Sequence, residues 1–361
     1  MKLMCVFFFL GMCVLSCSSQ PPAAPQDLFK KGDNGYHTYR IPAIVTTKTG
    51  ALLAFAEGRV NGGGDTGDIN LVFRRSEDNG RTWSPIEVIW DIGKDVCGNP
   101  CPVVLENGEI VLLLTWNNGK DHEGHIKKGH SKYGRVPYMM RSKDDGKTWS
   151  KAKDISSMAD KKEWMWYATG PGNGIQLKHG KHKGRIVVPC ANSTVKGGYN
   201  SHVIYSDDNG ETWKYSHDIG KGSNESTVVE LSDGTLVFNT RQQSNRSGYR
   251  GQAISKDGGE TWSEYTNKTA LKEPTCQASF ITYKRDTLLF SNPQGKGRAD
   301  GVIQVSMDGA KTWKKAIHLP KGGFAYSSMT VLDNGDVAIL YETKSYKSIH
   351  FRVIPASQIQ P

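Results

Sequence analysis

Ser76-Glu77-Asp78-Asn79-Gly80-Arg81-Thr82-Trp83 is the stretch that decides the fold, because it returns four more times. The second copy is Ser142-Lys143-Asp144-Asp145-Gly146-Lys147-Thr148-Trp149, and the others occupy 206–213, 255–262 and 306–313. Starts are separated by 66, 64, 49 and 51 residues. Only the last copy breaks the pattern, with Ala310 where the others have Gly. Ser-x-Asp-x-Gly is turn chemistry: the Asp carboxylate accepts backbone N–H bonds across the turn, and Gly takes a positive φ. Thr and Trp then start a strand, with the indole free to enter a core. Runs rich in β-formers precede the copies at 69–74, 138–141, 202–205, 252–254 and 302–305. Each copy therefore reads as a turn between two strands. Such a hairpin cannot bury both faces alone and must stack on its neighbours.

Further strands follow Asn107-Gly108, Asp233-Gly234 and Asn334-Gly335. Four strands per unit of about 50 residues is the pattern of a β-propeller. The expectation is an all-β, six-bladed β-propeller with these Asp-containing turns, over residues 28–361. No helical periodicity of useful length and no linker to a second domain interrupt it.

The first residues read as a leader. Lys2 precedes an apolar run at 6–15, too short to span a bilayer, and the run ends at Ser16-Cys17. A polar, Pro-rich stretch follows. The reading is a lipoprotein-type signal at 1–17, a lipidated Cys17, and a tether at 18–27. The alternative is a plain secretory signal with an incidental Cys17. Export to the bacterial periplasm or cell surface, with a lipid anchor to the membrane, follows from the first reading. Cys97, Cys101, Cys190 and Cys276 lie beyond the leader. Their spacing lacks a second pair or a His motif for zinc, and they read as free, buried thiols; a Cys97–Cys101 bridge stays open. The net charge is +10, but the lysines are scattered, as in a solvated basic surface rather than a nucleic-acid interface. His122, His125 and His130 have no fixed metal-ligand spacing and read as a solvated loop.

Several motifs stand in one order around the repeats. Tyr39-Arg40-Ile41-Pro42 precedes the first copy, followed by Glu57-Gly58-Arg59 and the Gly-rich 62–68. Ser223-Asn224-Glu225-Ser226-Thr227 leads into Phe238-Asn239-Thr240-Arg241. Then come Ser291-Asn292-Pro293 with Arg298, Phe324-Ala325-Tyr326-Ser327-Ser328, and Leu340-Tyr341-Glu342. Together they resemble the sialidases of glycoside hydrolase family 33, from about residue 36 to 352, and the repeated turn resembles that family's Asp box. On its own the Asp box speaks for architecture, since propellers without activity carry it too.

The resemblance implies that Arg40, Arg241 and Arg298 form a triad gripping the carboxylate of sialic acid, with Glu342 holding Arg40. The chemistry agrees: planar guanidinium groups make charge-assisted, bidentate bonds to a carboxylate that Lys does not reproduce. It further implies that Tyr326 is the nucleophile and Glu225 the base that takes its proton. A carboxylate nucleophile would be repelled by the carboxylate on the sialic acid anomeric carbon, and a neutral phenol is not. Asp65, on the Gly-rich loop, is the implied acid/base, with Asp68 as competitor; Arg59 is implied near a sugar hydroxyl. Tyr249 is the rival to Tyr326 and reads as a lining or core residue. Trp164, Trp166 and Tyr167 fit either an N-acetyl contact or core packing. No metal or cofactor is needed. The expected activity is exo-α-sialidase action on terminal sialic acid of glycoproteins, glycolipids and oligosaccharides, by a monomer. Transfer to another sugar, an intramolecular variant releasing an anhydro sugar, and a silent sialic-acid-binding propeller are the alternatives.

Overall fold

The computed structural model describes residues 24–359, and the leader at 1–17 with Cys17 lies outside them. The described chain is an all-β, propeller-like arrangement of antiparallel sheets. Three sheets are four-stranded meanders, one of which closes the molecule by pairing its two ends. There the first strand, Gln26–Lys30, lies against the last, Ser348–Ile354, with Gln26 opposite Phe351 and Lys30 opposite Ser348. That strand begins two residues inside the stretch read as a tether. It is anchored by Leu28 and Phe29, which are buried against Ile349 and Phe351.

Six separate blades are expected, but the hydrogen-bond ladders give five sheets. The difference arises in an eight-stranded sheet made of two meanders, 38–90 and 96–154. A single parallel pairing, Ile69 opposite Val96, joins them. The remaining sheet is six-stranded, because its first and last strands are each broken in two, at Trp166–Thr169 with Ile175–Gln176 and at Lys214–Tyr215 with Ile219–Lys221.

The repeated octapeptides form the turns expected of them. Asp78 accepts from the Thr82 amide at 2.9 Å and the Thr82 hydroxyl at 2.7 Å, while the Gly80 amide donates to Ser76 Oγ at 2.9 Å. These bonds favour the ionised carboxylate, and Asp78, Asp144, Asp208 and Asp308 are each held down at about 2. Ala310 fills the Gly position at φ 65°, and its amide still reaches Ser306 Oγ at 3.0 Å. The turns pack between meanders: Trp83 meets Phe351 at 5.1 Å, and Trp149 sits edge-on to Phe55 at 5.7 Å. A Cβ on Gly80 would lie 2.2 Å from Phe351, so only glycine fits that seam.

Antiparallel order puts these turns at one end of the sheets and the connections between second and third strands at the other. Those connections are 60–68, 118–134, 195–197, 243–248, 294–300 and 344–347. The four cysteines are free and buried. No described helix is long and apolar enough to cross a membrane.

Candidate active site

Four inner strands carry an irregularity near the end opposite the repeated turns. Register shifts fall between Arg40 and Ala43, Gly98 and Cys101, Ser223 and Ser226, and Phe324 and Ser327. A bulge re-aims side chains that a regular strand would send into a sheet face. Arg40, Asn99, Asn224, Glu225 and Tyr326 lie in or beside these bulges, and all five line one pocket. Ile41 and Asn99 hold positive φ, 58° and 54°, within the first two. The pocket is completed from the second strands by Glu57, Arg59 and Arg241, and from the loops at that end by Asp65, Glu123, Gln243 and Arg298.

Three guanidinium groups meet here, and their partners differ. Arg40 Nε donates to Glu342 Oε1 at 2.6 Å, and the fully buried Glu342 also accepts from the amides of Ile41 at 2.9 Å and Tyr326 at 3.2 Å. One carboxylate thus fixes the first arginine and the backbone of the strand that carries the phenol. Arg241 Nη1 donates to Glu225 Oε2 at 2.6 Å, whereas its buried Nε has no partner among the described residues. Among the described residues Arg298 donates only to neutral oxygens, Tyr346 Oη at 3.0 Å and the Thr275 carbonyl at 3.5 Å. Buried donors without acceptors are costly, so an anion reaching this point would satisfy Arg241 and balance Arg298 together.

The Tyr326 hydroxyl lies among these groups. It donates to Glu225 Oε1 in a short hydrogen bond and accepts from Arg241 Nη1 at 3.0 Å. Burial, and next the Glu225 charge, push the phenol well above its ordinary range; Arg241 and Arg298 pull the other way. The resting group is therefore a neutral phenol whose proton already points at a base.

Arg59 organises the opposite wall. It bonds to Glu57 Oε2 through Nη2 at 2.5 Å and to the carbonyls of Gly63 and Gly64 at 2.7 and 3.0 Å. Those two carbonyl bonds pin the Gly-rich loop. Asp65 on that loop pairs with Arg59 Nη2 at 2.7 Å, yet its side chain is 63% exposed at the mouth. The surrounding wall would raise its pKa, but Arg59, then Arg40 and Arg135, outweigh that and hold Asp65 below the usual carboxylate range. Asp68 does not line the pocket; it sits where the next strand begins, and desolvation raises its pKa.

All the carboxylates, arginines and the phenol expected from sequence are brought together, with Glu342 just behind Arg40. Tyr249 stays outside the lining. The aromatic cluster divides: Trp166 lines the pocket, while Trp164 and Tyr167 belong to the core. Arg135, Asn99, Glu123 and Gln243 escape the sequence reading. Arg135 is buried, bonds to Thr115 at 2.9 Å and Asn117 at 3.2 Å, and lies 4.6 Å from the Trp166 ring. None of the four sits in a recognisable motif. His122 and His125 stack with ring centres 3.8 Å apart, and among the described residues no group of His, Cys, Asp and Glu could hold a metal ion.

Fold and pocket together define a propeller-like protein with an arginine-lined pocket that holds a phenol hydrogen-bonded to a carboxylate. A BNR repeat-like domain model matches residues 50–339. The sialidase of Micromonospora viridifaciens is 32% identical over 340 residues, covering 90% of this chain and 52% of that protein. The exo-alpha-sialidase of Aspergillus fumigatus is 33% identical over 358 residues, covering 88% of this chain and 84% of that one. A solved Hadza microbial sialidase superposes with a TM-score of 0.84 at 30% identity, over 93% of this chain and 69% of that one. The chain belongs to the BNR-repeat sialidase family. It spans about half the length of the Micromonospora relative.

Proposed function

We propose that the protein is an exo-α-sialidase that hydrolyses terminal sialic acid from glycoproteins, glycolipids and oligosaccharides with retention at the anomeric carbon. The observation that carries this reading is the Tyr326–Glu225 hydrogen bond set among Arg40, Arg241 and Arg298. The three arginines take the substrate carboxylate, which orients the anomeric carbon over Tyr326 Oη. As Oη forms its bond to that carbon, Glu225 accepts the phenol proton, and Asp65 protonates the departing glycosidic oxygen. Asp65, now a carboxylate, takes a proton from water, whose oxygen bonds to the anomeric carbon. The bond to Tyr326 breaks, and Glu225 returns the proton to the phenolate. The substrate anion also lessens the positive field of Arg40 on Asp65, which favours the protonated form the first step needs.

The similarity to the Micromonospora sialidase and the Aspergillus exo-alpha-sialidase supports this reading. The same reading takes the fold as a six-bladed propeller, with the meanders 38–90 and 96–154 as separate blades; their single shared pairing supports that count. It also includes export and a lipid anchor at Cys17. Radiolabelled fatty acid should enter the expressed protein and fail to enter Cys17→Ala.

The purified chain lacking its leader should release sialic acid from a 2-linked aryl α-sialoside. Tyr326→Phe should stay folded and lose at least about a thousandfold in kcat, since the nucleophile itself is gone. A well-folded wild type that releases no sialic acid would overturn the reading.

A further inference from the structure

Arg298 is the one triad arginine with no carboxylate partner among the described residues. What positions it is Tyr346, from the 344–347 connection that follows Glu342. Tyr346 Oη accepts from Arg298 Nη1 at 3.0 Å. The same ring stacks on Arg40, with the guanidinium carbon 3.9 Å from the ring centre. Arg40 thus lies between two phenols, since the Tyr326 ring centre is 5.3 Å away. The backbone pays for this placement: Ser345 and Tyr346 hold φ of 56° and 52°, a region that side-chain-bearing residues avoid. The ring is anchored by packing against Ile41, Cys276, Ala325 and Tyr326. Strain kept at a contact to two site residues points to a role rather than to a loop accident.

We infer that Tyr346 is a positioning residue that presets Arg40 and Arg298 for the substrate carboxylate. It stands outside the pocket lining and takes no part in the proton transfer between Tyr326 and Glu225. Its ring blocks Arg40 from turning away from Glu342, and its hydroxyl stops Arg298 from swinging into solvent. The carboxylate then meets donors already aimed at it, and less freedom is lost on binding. A neutral partner suits this place: a carboxylate beside Arg298 would compete with the ligand, whereas a phenol oxygen fixes the arginine and leaves its charge uncancelled.

The inference rests on the sialidase reading. Its test compares wild type, Tyr346→Phe and Tyr346→Ala in kcat and KM on an aryl α-sialoside. Calorimetry gives the Kd of 2,3-didehydro-2-deoxy-N-acetylneuraminic acid and of its methyl ester. Tyr346→Phe keeps the ring and loses the acceptor, so KM and Kd for the acid should rise about fivefold to tenfold. Tyr346→Ala loses both contacts and should show a rise of about fiftyfold or more. The loss should fall on KM more than on kcat, and the preference for free acid over methyl ester should shrink in the same order. Variants that match wild type in KM and Kd overturn the role while leaving the sialidase reading intact. Equal losses for acid and ester, tracking a fall in Tm, also overturn it, since that is damage to the fold. A wild type that neither cleaves the sialoside nor binds the acid removes the underlying reading and this inference with it.

Discussion

Tyr326 and Glu225 are 101 residues apart in sequence and share one proton in space. Two devices make that possible: the bulges that turn both side chains out of their strands, and Glu342, which bonds to Arg40 and to the Tyr326 amide. Glu342→Ala leaves buried Arg40 unpaired and should cost about 3–5 kcal/mol in stability together with a large rise in KM; thermal unfolding and steady-state kinetics read both. Asp65→Ala should slow cleavage of a sialyl-oligosaccharide by about 10²–10⁴ but cost far less on an aryl sialoside whose leaving group needs no proton. Equal losses on the two substrates would remove the acid role. At this scale the sequence was most legible where a residue sits in a contiguous motif, as Arg40, Tyr326 and Glu342 do. Arg135, Asn99, Glu123 and Tyr346 were not legible. Their contacts come from other strands, and nothing beside them in the chain marks what they will meet.

Among elements, the repeated turn carries the clearest link from residue to stability. Ser, Asp, Gly and Thr each supply the bond or the φ that the spacing implies. Four of these carboxylates, Asp78, Asp144, Asp208 and Asp308, have native pKa values depressed to about 2, against about 3.9 unfolded. Their contribution is complete above the unfolded value and is lost as pH falls from about 4 through 2. Asp208→Asn should therefore lower Tm at neutral pH, and its deficit against wild type should shrink in scans near pH 2. Gly80→Ala combines a positive φ with a clash against Phe351 and should cost about 2 kcal/mol or more in denaturant unfolding. Turn chemistry is local, which is why these elements could be read directly. The pairing of Ile69 with Val96 depends on how two meanders are spaced, so the number of sheets could not be.

For the whole molecule, closure joins a strand at the start of the described chain to one near its end. Phe29 is fully buried in that seam, and Phe29→Ala should cost about 3–5 kcal/mol and loosen the ring as a unit, seen as a lower Tm with activity lost in parallel. The site needs a closed ring because its parts are spread around it: Arg40 and Asp65 in one meander, Glu225 and Arg241 in another, Arg298 in a third, Tyr326 in the closing sheet. The proposed function makes the phenol the group that bonds to sugar, and trapping that bond tests it most directly. Incubation with a 2,3-difluorosialic acid, then proteolysis and mass spectrometry, should place a fluorosialyl adduct on the peptide containing Tyr326, and Tyr326→Phe should carry none. An adduct on Asp65 or Glu225, or an active wild type labelled nowhere, would contradict the account.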